Sequence, residues 1–140
     1  MSTEAELTHS AMAFALAHCR TVAVVGLSPK THRDSYEVAH YMQQHGWRIV
    51  PINPNASEIL GEKAYPSLSA AAQAGPIDLV NVFRNSADVP PVIDEAIAIG
   101  AKAIWLQMGI YHDAAAAKAR AAGIPVVQNK CLMVEHARGN

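Results

Sequence analysis

Residues 26–35 read Gly26-Leu27-Ser28-Pro29-Lys30-Thr31-His32-Arg33-Asp34-Ser35. An apolar run, 21–25, leads into them, and a helical pattern follows. A glycine at such a junction lets the backbone turn sharply and approach a ligand closely. Ser28 adds a hydroxyl, and the loop adds amide N–H groups. Lys30 adds a positive charge and Arg33 a forked donor. The start of the following helix favours an anion. This is the chemistry of phosphate binding. The same residues also suit a plain strand-to-helix turn carrying two solvated cations.

Other segments join this one if the chain forms an open α/β sheet, because ligands then bind beyond the carboxyl ends of the strands. After the second apolar run comes Asn53-Pro54, either a simple turn or an amide held in a fixed direction by the proline. After the third come Phe83 and Arg84, with a guanidinium at the mouth. After the fourth, Gln107 offers an amide and Gly109 another point of close approach. After the fifth lies Cys131, with Glu135 one helical turn on and His136 beside it.

Two absences narrow the ligand. A nicotinamide dinucleotide site uses three glycines in the first loop and an acidic residue at the end of the second strand. The first loop has Gly26 and no second glycine, and the second strand ends Pro51-Ile52-Asn53-Pro54-Asn55. An NAD-type binder is therefore disfavoured. The histidines His9, His18, His32, His40, His45, His112 and His136 show no metal-ligand spacing. His32 lies in the first loop and reads as an exposed loop histidine. Trp47 and Trp105 read as packing residues. Cys131 reads as a small buried residue, with a reactive thiol as the other reading.

The elements that must position these groups are marked by hydrophobic pattern. Apolar runs at 21–25, 48–52, 78–83, 101–106 and 124–127 are continuous rather than alternating, as in parallel strands covered on both faces. Helical patterns lie at 2–19, with Leu7, Ala11, Phe14 and Ala15 on one side, and from Ser35, the expected N-cap, to Gly46. Others lie at 67–74, opened by Ser67, at 86–99, with Pro90 and Pro91 in the first turn, at 113–122 and at 131–138. The alternation predicts an α/β fold: a single Rossmann-type, doubly wound, five-stranded parallel sheet, order 3-2-1-4-5, with helices on both faces. A flavodoxin-like order, 2-1-3-4-5, is the alternative. The whole chain, 1–140, is read as one domain, with residues 1–19 a helix appended at the N-terminus.

Totals set the outer limits. Of 140 residues, 51% are apolar and 16% charged, and 11 Lys+Arg stand against 12 Asp+Glu. That near-balance gives no general attraction to nucleic acid or anionic membrane, so neither is an expected partner. The two cysteines, far apart, suggest a reducing, cytoplasmic setting. No stretch reads as a secretory signal or a membrane span. The alanine-rich helices leave a protein partner or a homodimer open.

Five words of the sequence together resemble the small stand-alone CoA-binding proteins, which are similar to the CoA-binding domain of the succinyl-CoA synthetase alpha subunit. They are VVGLSPKTHRDSYEVAHYMQQHGWRIVPINP, LGEKAYPSL, DLVNVFRNSADVPPVIDEAI, AIWLQMGI and NKCLMVEHAR, spread over about residues 18–138. The resemblance implies coenzyme A, or an acyl-CoA, at the rim. Gly26, Leu27 and Ser28 would approach the diphosphate, and Lys30 and Arg33 would partner the phosphates. Asn53 and Pro54 would lie beside the adenosine. Phe83, Arg84, Gln107 and Gly109 would line the way to the pantetheine arm. The synthetase's phosphohistidine region has no counterpart here. The implied role is binding of CoA rather than ligation, and a binding module is favoured over an enzyme. A thiol- or acyl-handling enzyme using Cys131 is the alternative.

Overall fold

A computed structural model describes residues 1–139. The elements are α1 (Glu4–His18), β1 (Thr21–Val25), α2 (Asp34–Gln44), β2 (Arg48–Ile52), β3 (Glu58–Ile59), β4 (Glu62–Lys63) and α3 (Leu68–Ala74). They continue with β5 (Leu79–Val82), a 3-10 turn at Ser86–Asp88, α4 (Val89–Ala98), β6 (Ala103–Leu106), α5 (Asp113–Ala121), β7 (Val126–Val127) and α6 (Leu132–Ala137).

The apolar runs become strands because their alternate side chains enter two different cores. Val22, Val24, Leu79 and Trp105 pack on one face against α1, α2 and α6. Ala23, Val25, Val80, Val82, Ile104 and Leu106 pack on the other against α3, α4 and α5. Every one of these strand residues is fully or nearly fully buried. The result is the expected doubly wound, parallel, five-stranded sheet of Rossmann type.

Its spatial order is β2-β1-β5-β6-β7. The expected 3-2-1-4-5 pattern appears when the single parallel rung Ile52–Tyr65, outside β2, is counted as the third strand. The run expected in that place, 78–83, lies instead against β1, pairing Val22 with Leu79 through Val25 with Val82. Counted over the five full strands, the order reads 2-1-3-4-5. Pro51 helps explain why the outer strand shrinks to a rung. Its carbonyl accepts from the Tyr65 N–H at 2.9 Å, but it has no N–H to return on that flank. The Asn53 N–H closes the rung by donating to the Tyr65 carbonyl at 2.9 Å.

The other edge is covered. The α1 helix packs along β7, and its Ala11, Met12, Ala15 and Leu16 are part of the core on that face. A capping box at Thr3 and Glu6 opens the helix. A bidentate pair from Arg120 to Glu4, at 2.7 and 2.9 Å, ties it to α5. Ser67 caps α3 as expected, accepting from the Ala70 N–H. Ser35 does not cap α2. That helix opens two residues earlier, with Arg33 at the cap position, and Ser35 is buried within the first turn.

Candidate functional site

The chain passes from one flank of the sheet to the other between β2 and β5, so the crevice of an open α/β sheet falls between β1 and β5. Gly26 follows β1 and Phe83 follows β5. The Phe83 N–H donates to the Val25 carbonyl at 2.8 Å. Gly26 has φ +88°, and a Cβ there would lie 2.3 Å from the Phe83 carbonyl oxygen. Glycine is required both by the backbone angle and by the approach of the neighbouring strand. The close approach is therefore between two strands at the mouth of the crevice.

The loop after Gly26 is built on internal hydrogen bonds. The Gly26 N–H donates to the Ile52 carbonyl at 3.1 Å. The Ser28 N–H donates to Ser35 Oγ at 3.0 Å, and the Lys30 N–H to Ser28 Oγ at 3.1 Å. Asn53 Nδ2 donates to the Leu27 carbonyl at 2.9 Å, while its Oδ1 accepts the Asn55 N–H at 2.7 Å. Several backbone donors of the loop are thus spent on its shape. The donors left to meet an anion are mainly side chains: the hydroxyls of Ser28 and Ser35 and the two cations.

Two adjoining hollows occupy the rim, both bordered by Asp34 and Phe83. The smaller, about 400 Å³, is walled by Gly26, Ser28, Lys30, Arg33 and Ser35. The larger, about 550 Å³, takes in Arg84, Gln107, Gly109, Cys131 and Met133. The structure therefore brings together eight of the expected site residues: Gly26, Ser28, Lys30, Arg33, Phe83, Arg84, Gln107 and Gly109. Leu27 turns the other way, its side chain fully buried in the core, and takes part through its carbonyl. Asn53 and Pro54 wall neither hollow. Asn53 braces the loop from behind, and Pro54 is exposed.

Charge is distributed unevenly. Lys102, Lys118, Arg120 and Arg138 each meet a carboxylate. Arg20 lies over Trp47 and Lys63 over Tyr65. Among the described residues Lys30, Arg33 and Arg84, like Arg48 and Lys130, make no such contact, and these three are exposed together at the rim. Asp34 and Glu37, in the first turn of α2, offset part of this charge.

In the larger hollow Gln107 is only 7% exposed. Its Oε1 accepts from Asn81 Nδ2 at 3.3 Å and from the Leu132 N–H at 3.4 Å. Asn81 is fully buried, and its Oδ1 has no partner among the described residues. Gly109 is anchored by its N–H donating to Asn129 Oδ1 at 2.7 Å. Trp105 Nε1 donates to the Lys130 carbonyl at 2.8 Å, fixing the approach to Cys131 from inside the core.

The residues near Cys131 are not arranged as a relay. His136 Nδ1 pairs with the Tyr41 hydroxyl at 2.9 Å rather than with the thiol, and the His45 ring stacks on Tyr41. Burial, with His45 and Arg20 nearby, holds the His136 imidazole below its ordinary pKa. Glu135 is buried and accepts from Arg138 at 3.1 Å. His32 is exposed in the loop. Sequence reasoning took Ser35 for a helix cap and missed it as the acceptor that shapes the loop, along with Asp34 and Met133 as walls. The available signal was the pairing of two serines seven residues apart around a prolyl turn.

Comparison with known proteins identifies the family and the fold. Residues 20–137 match the family described as the CoA binding domain. The YneT protein of Bacillus subtilis is 39% identical over 122 residues, covering 87% of this chain and 89% of its own. The structure of cell-free ID.343 from Thermus thermophilus superposes with a TM-score of 0.84 at 34% identity, over 98% of both chains. The ADP-forming acetate–CoA ligase II of Archaeoglobus fulgidus is 31% identical over 85 residues, which are 59% of this chain and 12% of the ligase. The match over residues 20–137 settles the family: this chain is a member of the CoA binding domain family, and it is related to the corresponding part of a CoA ligase.

Proposed function

We propose that the chain binds coenzyme A, free or acylated, in the crevice between β1 and β5, and holds it without turning it over. The observation that carries this reading is the gathering of Lys30, Arg33 and Arg84, without carboxylate partners, around the two hollows at the switch point. A ligand with several phosphates at one end and a long, less polar arm at the other suits that division. The smaller hollow offers hydroxyls and cations. The larger one adds Met108, Ile110 and Met133. Asn53 serves this reading as a brace for the loop rather than as a contact to the adenosine.

A cytoplasmic setting, where CoA is available, is part of the proposal. It is supported by two cysteines that remain free. Among the described residues no helix is long and apolar enough to cross a membrane.

The test is calorimetric titration with CoA and, separately, with NADH. Saturable binding of CoA at one site per chain, with no heat from NADH, supports the reading. Absence of CoA binding at millimolar concentration sinks it.

A further inference from the structure

The two cysteines occupy contrasting places. Cys19 is fully buried, and burial, with Asp78 adding to it, pushes its thiol up to about 11. Cys131 is 8% exposed and forms part of the wall of the larger hollow.

A second group on that wall points to a ligand. Gln107 is nine-tenths buried, and its Oε1 is committed to Asn81 and to the N–H of Leu132, the residue that follows Cys131. Turning the amide over would set its NH2 against the Leu132 N–H, so the oxygen must stay where it is. Its Nε2 has no hydrogen-bond partner among the described residues, although the side chain lines the hollow. Open to the hollow, that donor is available to an acceptor on a ligand. Next to a thiol, the acceptor that fits is a carbonyl a few bonds from a sulfur. The arm of CoA ends in an amide carbonyl followed by a two-carbon thiol.

We propose that Cys131 forms a reversible mixed disulfide with the sulfur of a ligand seated in the larger hollow, and that Gln107 Nε2 positions that ligand by donating to its last carbonyl. This rests on the CoA reading above. The reaction is an exchange. The Cys131 thiolate attacks one sulfur of an incoming CoA disulfide, and a new S–S bond forms as the old one breaks. The departing CoA thiolate takes up the proton that Cys131 gave up. The disulfide itself supplies the oxidation, and a free thiol reverses the step. Each chain captures one ligand, with no turnover.

The experiment treats reduced, full-length protein with CoA disulfide, without oxygen or reductant, and reads intact mass. One CoA adduct per chain is expected, lost on adding dithiothreitol. It should persist in Cys19→Ser and be absent in Cys131→Ser. In the unmodified protein, saturating reduced CoA should slow alkylation of Cys131 by iodoacetamide about tenfold or more. Gln107→Leu should slow the reaction with CoA disulfide about tenfold more than it slows that with hydroxyethyl disulfide. An adduct that survives Cys131→Ser overturns the assignment. So does the absence of any adduct from a protein that still binds CoA by calorimetry, and in that case the CoA reading stands. A protein that binds no CoA at all overturns both. Equal slowing of the two disulfides by Gln107→Leu removes the positioning role.

Discussion

Asn53 Nδ2 lies 2.9 Å from the carbonyl oxygen of Leu27, so the end of β2 holds the loop that follows β1. The same side chain accepts from Asn55, and both ends of the amide are therefore occupied within the protein. Asn53→Ala removes both bonds at a half-buried position. A loss of about 1–2 kcal/mol in urea unfolding is expected. CoA affinity should fall with it, because the cradle loosens. An unchanged midpoint would show that the brace is dispensable.

Gly26 and Gly46 have nearly the same backbone angle, φ +88° and +89°, but different surroundings. A side chain on Gly46 meets open space, and one on Gly26 meets the Phe83 carbonyl. Gly46→Ala should cost about 1–2 kcal/mol, the price of a left-handed residue. Gly26→Ala should cost on the order of 3 kcal/mol or more, since backbone must also shift. Equal losses in parallel unfolding curves would remove the close approach as the reason for glycine.

Arg33 is exposed and outside both cores. Arg33→Ala should weaken CoA binding roughly tenfold to a hundredfold, the range of a lost charge-assisted hydrogen bond. The melting temperature without ligand should stay within about 1 °C, as for a surface change of a few tenths of a kcal/mol. Dephospho-CoA should bind more weakly than CoA, and Lys30→Ala should erase that difference if Lys30 meets the 3′-phosphate. Calorimetry on these pairs decides each contact separately.

Glu4 links stability to pH. The Arg120 hydrogen bond, helped by Gln128 and Thr8 against the opposing effect of burial, holds its carboxyl at about 2 instead of 4.5. A carboxyl depressed in the folded state stabilises it fully above the unfolded value and loses that effect as pH falls. The contribution should be complete above pH 4.5 and gone near pH 2. Its size is limited because the Glu4 side chain is half exposed and screened by salt. Glu4→Gln should melt below the parent at pH 6, and the two should converge on acidification. A gap that stays constant down to pH 2 would sever this link.

Most of the fold was legible because a doubly wound sheet writes its strands as apolar runs and its helices as periodic ones. Ser67, Gly46 and the paired prolines at 90 and 91 behave as their local chemistry requires. The strand order was harder, because the outermost strand is one residue, Tyr65, followed at once by Pro66. A single rung leaves no run to read. The small β3–β4 hairpin was equally silent: its turn puts Leu60 at φ 55°, where sequence signals expect Asn or Gly. Gln43 Nε2 steadies that turn through the Leu60 carbonyl at 2.9 Å.

At the site, residue type told which loops matter, but not which groups were already engaged. Ser35 and Asn53 carry the right atoms for ligand contacts, and the fold uses them to set the loop. Cys131 read as packing by type, and it is both nearly buried and part of a wall. Such double roles depend on tertiary placement, which local pattern does not encode.

The α1 helix ends before residue 20, where the stretch shared with the family begins. Yet its Ala11, Met12, Ala15 and Leu16 lie in the same cluster as Val22, Trp105 and Val127. The stretch that defines the family, 20–137, is thus shorter than what folds together in this chain. A chimera joined at residue 20, with a relative's leading helix grafted onto this body, would set two half-cores against each other that never evolved as partners. Swapping modules within this family is therefore a packing problem before it is a question of ligand choice.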